Sequence, residues 1–187
     1  LIISNKYKFI YIAVPKTGSQ NIRSHLSKFK DDTLRIRDHE RLIPKGKESY
    51  IKIVSIRNPY DRILSQYKMV TRKQRQVNSD KNWLTFEEFI DYSIYLNKYI
   101  PDDTLYNNLY QRFPMWKFFS TVGKIDYFIR LEHIQKDFNA LPFINEKVHI
   151  IKRNVGNYIK NSLNDKIIEK INVWAGKDFE LYGYTKR

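Results

Sequence analysis

The run Phe9-Ile10-Tyr11-Ile12-Ala13-Val14-Pro15-Lys16-Thr17-Gly18-Ser19-Gln20 constrains the fold more than any other stretch of the chain. An apolar, β-prone segment stops at a proline. A lysine follows, then two hydroxyl residues around one glycine, and then Ile22, Leu26 and Phe29 recur at helical spacing. A buried strand feeding a tight turn and a helix N-terminus gathers backbone N–H groups around one point, a geometry that suits a phosphate. Lys16 adds a mobile point charge there. An ordinary strand–turn–helix connection has the same pattern, so the remainder of the chain has to decide between the two.

That remainder reads as alternating strands and helices. Tyr7 to Val14 is expected to be a strand and Ser19 to Phe29 a helix, with a short strand over Leu34 to Asp38 that ends at His39. Pro44 to Ser49 is a turn-rich connector, and Tyr50 to Ile56 a second strand. Asn58-Pro59 opens a helix, Asn58 as cap, Pro59 at the first helical position and Asp61 at the positive end. Thr85-Phe86-Glu87-Glu88 has capping-box form and starts a helix to about Leu96. Pro101 begins a helical stretch carrying Leu105, Leu109, Phe113 and Trp116. Asp126 to Leu131 is expected as a strand, Glu132 to Leu141 as a helix, and Val148 to Ile151 as a short last strand. Ser162-Leu163-Asn164-Asp165 leads one long amphipathic helix through Ile167, Ile168, Ile171, Trp174 and Phe179. Such alternation implies an α/β fold with a parallel sheet covered by helices. No internal repeat or long linker divides residues 1–187, so one domain is expected.

Composition narrows the function classes. Hydrophobic content of 42% with 15% aromatic residues is that of a chain with a packed core. No apolar run reaches membrane-span length. Cysteine is absent, which excludes disulfides and thiolate metal sites and fits a reducing compartment. A soluble cytoplasmic protein of bacterial or viral type is therefore expected rather than a Golgi-lumen one. A net charge of +14 favours polyanions and anionic ligands. The basic residues are spread out apart from the run Lys68 to Arg75, and no nucleic-acid-binding signature is present, so nucleic acid is not the expected partner.

The second informative stretch is Val54-Ser55-Ile56-Arg57-Asn58-Pro59-Tyr60-Asp61-Arg62-Ile63-Leu64-Ser65. Arg57 falls where the strand ends. In open α/β sheets ligands bind beyond the carboxyl ends of strands, so Arg57 is expected to share a crevice with Lys16. Ser65, in the second turn of the next helix, is a candidate for the same anion. The plainer readings make Arg57 an ion-pair partner and Ser65 an incidental helix serine.

Together, Pro15 to Gln20 and Arg57 to Ser65 resemble the 5′-phosphosulfate loop and the 3′-phosphate motif of sulfotransferases that use 3′-phosphoadenosine 5′-phosphosulfate (PAPS). The carbohydrate-type sulfotransferases are the most similar. Tyr127 to Glu132 with Asp137-Phe138, and Asp178 to Tyr184, resemble later segments of that family in the right order. The resemblance implies a three-layer P-loop-like fold with a central, mainly parallel sheet. It implies sulfuryl transfer from PAPS to an acceptor hydroxyl, a glycan being expected, with adenosine 3′,5′-bisphosphate as product and no metal. Lys16, Thr17, Gly18, Ser19 and Gln20 are then implied to hold the 5′ end, with Lys16 also catalytic, and Arg57 and Ser65 the 3′-phosphate. Lys152 and Arg153 resemble a segment that closes over PAPS, although a solvated basic turn reads the same way.

An acceptor hydroxyl needs a base. Of the four histidines, His25 falls inside a helix and His133 is expected to support packing or a hydrogen bond. His39 lies between the two cofactor motifs, where several carbohydrate sulfotransferases place a catalytic histidine, and its ordinary pKa suits proton abstraction near neutrality. Glu40 is the reserve. Asn107 to Arg112 departs from the family pattern, so no acceptor contact is assigned there. Two rivals are a kinase and a non-catalytic basic binding protein retaining the fold. A kinase loop would place Gly-Lys-Ser/Thr at its end, whereas here the lysine precedes the only glycine.

Overall fold

The computed structural model describes residues 1–29, 43–77, 84–99, 113–120, 122–150 and 163–187, without the side chains of 73–77. His39, Glu40, Lys152, Arg153 and the segment 107–112 therefore lie outside the described residues, as does the expected strand over 34–38. Contacts divide the chain into two compact units interleaved in sequence. One comprises Leu1–Arg57 and Phe118–Gly156, the other Asn58–Lys117 and Asn157–Arg187.

The first unit holds a four-stranded sheet in the order β1 (Ile2–Ser4), β2 (Phe9–Ile12), β3 (Ile51–Ile56), β4 (Tyr127–Arg130). β1 is antiparallel to β2, and β2, β3 and β4 run parallel. The α/β class with a mainly parallel central sheet and accompanying helices is thus as the sequence implied. β1 was not expected. The chain doubles back through Asn5 to Lys8, with Lys8 at φ 53, so the strand expected over 7–14 is shorter and preceded by a hairpin.

Alternate residues of the strands face opposite ways. Phe9, Tyr11, Ala13, Ile53 and Ile129 join Ile22 and Leu26 of α1 (Ser19–Leu26), and Ile134 and Phe138 of α5 (Ile134–Asn139), in one apolar core. Phe9 stacks on Phe143 with ring centroids 4.5 Å apart. Ile10, Ile12, Val14, Val54 and Ile56 point the other way and are also buried, which explains the nearly continuous apolar strands. Each fully buried aliphatic or aromatic side chain here contributes about 1.5–3 kcal/mol.

The stretch after α5 corrects one expectation. Residues 148–150 form no strand, because side chains occupy their peptide groups. Asn139 Oδ1 accepts the Val148 N–H at 2.9 Å, Gln135 Oε1 accepts the Ile150 N–H at 2.9 Å, and both amide NH₂ groups donate to the Val148 carbonyl. The helix expected over 132–141 is likewise divided into a 3₁₀ turn at Leu131–His133 and α5.

The second unit is helical: α2 (Pro59–Val77), α3 (Phe86–Tyr99), α6 (Asp165–Trp174) and α7 (Gly176–Tyr182). The short helix α4 (Trp116–Phe119) lies where the chain passes from this unit to the first. Asn58 caps α2 through the Tyr60 N–H at 3.1 Å. Thr85 and Glu88 exchange capping bonds at the start of α3, as the pattern predicted. Asn164 caps α6, accepting from the Ile167 N–H. The expected single helix from 165 to 179 breaks at Ala175, beside Gly176. Trp174, Ala175 and Phe179 nevertheless all enter the core with Tyr60, Ile63, Phe89, Ile90 and Ile171. Lys166 and Lys170 bridge Glu87, and the two hydrogen bonds hold its carboxyl down at about 2.

Candidate functional site

Parallel pairing brings the carboxyl ends of β2, β3 and β4 to one edge of the sheet. Beyond β2 the loop Ala13–Gly18 runs into α1. Two of its residues have left-handed φ, Lys16 at 68° and Gly18 at 76°. A lysine at positive φ is uncommon and strained, and such strain is maintained at ligand-gripping turns. Gly18 has a second constraint, since a Cβ there would lie 2.5 Å from Leu131 Cδ1, just past the end of β4. Only a glycine lets the loop lie this close to Leu131 without displacement.

Gly18 also stands at the N-cap of α1 and supplies no capping side chain. Its carbonyl takes the N–H groups of Asn21 and Ile22. The N–H groups of Thr17, Gly18, Ser19 and Gln20 follow one another from the turn at 15–18 into the first residues of α1. They lie at the positive end of a helix whose first turn contains no acidic residue.

Lys16 is half-buried and Gln20 exposed, while Ser19 is nearly covered. Thr17 is placed differently from what a ligand hydroxyl requires. It is fully buried, donates its O–H to the Val14 carbonyl at 2.8 Å, and lies 2.6 Å from Ser55 Oγ. Arg57, immediately after β3, is also buried, and its Nη1 donates to the Lys16 carbonyl at 3.3 Å. Lys16 and Arg57, expected to share a crevice, are thus joined directly. After β4, the Arg130 N–H donates to Asp137 Oδ2 at 2.8 Å and its guanidinium pairs with the same carboxylate at 3.7 Å. That gives a physical role to the Arg130 and Asp137 of the third resembling segment.

Ser65 lies on α2 in the second unit and is buried. His25 is on α1, Nδ1 2.9 Å from the Asn21 carbonyl and its ring edge-on to Phe138, a structural position. His133 is exposed, at the end of the 3₁₀ turn that precedes α5. Among the described residues no group of His, Asp and Glu is arranged to hold a metal ion. No described helix is long and apolar enough to cross a membrane.

Two groups escaped the sequence reading: Ser55, and Tyr11, whose O–H donates to Ser55 Oγ at 2.8 Å. The signal was present. A serine inside the apolar strand Ile51-Lys52-Ile53-Val54-Ser55-Ile56 is destined for burial, and a buried hydroxyl needs a partner.

Comparison with known proteins adds one match. A family model described as "Sulfotransferase family" matches residues 1–185. No curated protein and no solved structure matches the chain.

Proposed function

The chain belongs to the sulfotransferase family, which makes sulfuryl transfer its class of reaction, and from that premise we propose that it moves the group from PAPS to a carbohydrate hydroxyl. The observation that carries the donor assignment is the turn from Lys16 into the α1 N-terminus, left-handed at Lys16 and Gly18, with Arg57 donating to the Lys16 carbonyl. The donor set fits an anion without a metal: backbone N–H groups, a lysine ammonium and a guanidinium.

PAPS supplies the activated sulfuryl group, whose bond to the 5′-phosphate oxygen breaks as one to the acceptor oxygen forms. As in phosphoryl transfer, the protein's part in that step is positioning and charge stabilisation. Lys16 and the loop N–H groups receive the negative charge that grows on the departing phosphate oxygen. Arg57, with Ser65 by the resemblance, takes the 3′-phosphate, which distinguishes this donor from ATP. His39 accepts the acceptor's proton, with Glu40 as the reserve base. Lys152 and Arg153 close over the nucleotide. The acceptor class rests on the carbohydrate-type motifs and on the net charge of +14, which draws anionic glycans. We read residues 1–187 as one functional domain.

Calorimetry with adenosine 3′,5′-bisphosphate tests the donor. Binding is expected for the unmodified protein, and a loss of about tenfold or more for Arg57→Ala and for Lys16→Ala, each a charge-assisted contact. No binding at millimolar ligand would refute the assignment. Transfer of labelled sulfate from PAPS to a panel of glycans, peptides and small alcohols tests the acceptor. If His39→Ala and Glu40→Gln both keep full transfer rates, the base is elsewhere.

A further inference from the structure

Behind the loop runs a chain of hydroxyls whose proton directions are fixed by its two ends. Burial pushes the Tyr11 phenol well above its ordinary range, outweighing the bond to Ser55, so its O–H remains a donor. Tyr11 donates to Ser55 Oγ at 2.8 Å, and Thr17 gives its one proton to the Val14 carbonyl. The 2.6 Å contact between Ser55 and Thr17 is therefore Ser55 donating to Thr17. Tyr11 (β2), Ser55 (β3) and Thr17 (loop) are each fully buried, and each hydroxyl in the relay is engaged.

Arg57, two residues beyond Ser55, fastens the same loop a second time, through the Lys16 carbonyl. The loop between these two fastenings carries the left-handed Lys16 and leads directly to the left-handed Gly18. Strained backbone of this kind persists only where its surroundings over-determine it. Donors held in place before the ligand arrives bind it with less ordering cost.

We infer that Tyr11 and Ser55 are positioning residues: their hydroxyl chain through Thr17 holds the Lys16–Gln20 loop in its anion-binding shape. Neither touches the ligand. The inference rests on the donor-binding reading above, and its test separates the two.

The test compares adenosine 3′,5′-bisphosphate affinity with hydrogen exchange of the Thr17–Gln20 amides in the ligand-free protein. Ser55→Ala is expected to weaken the ligand about tenfold, the scale of stranding a buried hydrogen-bonding group, and to speed loop exchange by a similar factor. Tyr11→Phe should act in the same direction. The double variant should be no worse than Ser55→Ala alone, because the chain is already broken at its centre. If only Thr17→Val loses affinity while Ser55→Ala and Tyr11→Phe bind normally, Thr17 acts on the ligand directly and the inference is overturned. A lowered urea midpoint with unchanged affinity and unchanged loop exchange would reduce the chain to fold stability and overturn it as well. Should the unmodified protein not bind the bisphosphate, the donor reading fails. Loop exchange then decides alone: acceleration in Ser55→Ala supports the positioning role, and wild-type exchange refutes it.

Discussion

Lys16 occupies a backbone conformation that a lysine resists, and the expected result of relieving it is a protein both more stable and less able to bind. Its φ of 68° lies in the left-handed region, which costs a residue with a Cβ about 1–2 kcal/mol. Glycine escapes that penalty but loses about 0.5–1 kcal/mol more backbone entropy on folding. The comparison of choice is Lys16→Gly against Lys16→Ala, because both delete everything beyond Cβ and differ only in the backbone term. Lys16→Gly should therefore be the more stable by about 0.5–1 kcal/mol, read from urea midpoints at constant slope. Both variants should lose affinity for adenosine 3′,5′-bisphosphate by a similar factor, since both lack the ammonium. A glycine variant no more stable than the alanine variant would refute the strain. Retained affinity in both would refute the role of the charge. Stability gained as binding is lost is the signature of strain maintained for function.

Two further perturbations address the frame and the second unit. Gly18→Ala combines a left-handed φ with a Cβ 2.5 Å from Leu131 Cδ1, and should destabilise by about 2–4 kcal/mol. Adding Leu131→Ala should recover about 1 kcal/mol of the steric part, so additivity of the two in urea unfolding would show that the loop does not pack on Leu131. Asp178 accepts the N–H groups of Met115 and Trp116, yet burial raises its carboxyl from 3.8 to about 6, against the opposing pull of Arg62 and those two bonds. Since its folded pKa lies above its unfolded one, its contribution is full below about 3.8 and is lost as pH rises through about 6. The difference in unfolding free energy between wild type and Asp178→Asn should accordingly change by up to about 3 kcal/mol between pH 4 and 7. A difference that is flat with pH would mean that Asp178 is held ionised by its donors.

What the sequence disclosed was whatever local chemistry decides. Pro15 ends an apolar run, Asn58-Pro59 starts a helix, and Thr85 with Glu88 closes a capping box; each depends on residues a few positions apart. What it concealed was decided at a distance. β1 is three residues long and gains its identity only from pairing with β2. Val148 to Ile150 alternates like a strand, but amides from Gln135 and Asn139 reached its peptide groups first. The last helix kept its apolar period across Ala175-Gly176, so the break was invisible to a reading by periodicity.

The loop itself shows the same boundary on a smaller scale. Pro15 to Gln20 names its residues and their order, and those carry the resemblance to a phosphosulfate loop. It does not say which of two neighbouring hydroxyl residues faces the ligand, because that depends on what lies behind the loop. Behind it lies Ser55, at a position where the pleat of β3 points toward the Tyr11 side of the sheet, and Thr17 turns inward to meet it. On the donor reading proposed above, recognition then falls to groups that need no side-chain conformer: backbone N–H groups whose directions follow from φ at Lys16 and Gly18. A site built this way is as good as the frame behind it. The residues that set its strength therefore include some that no ligand touches.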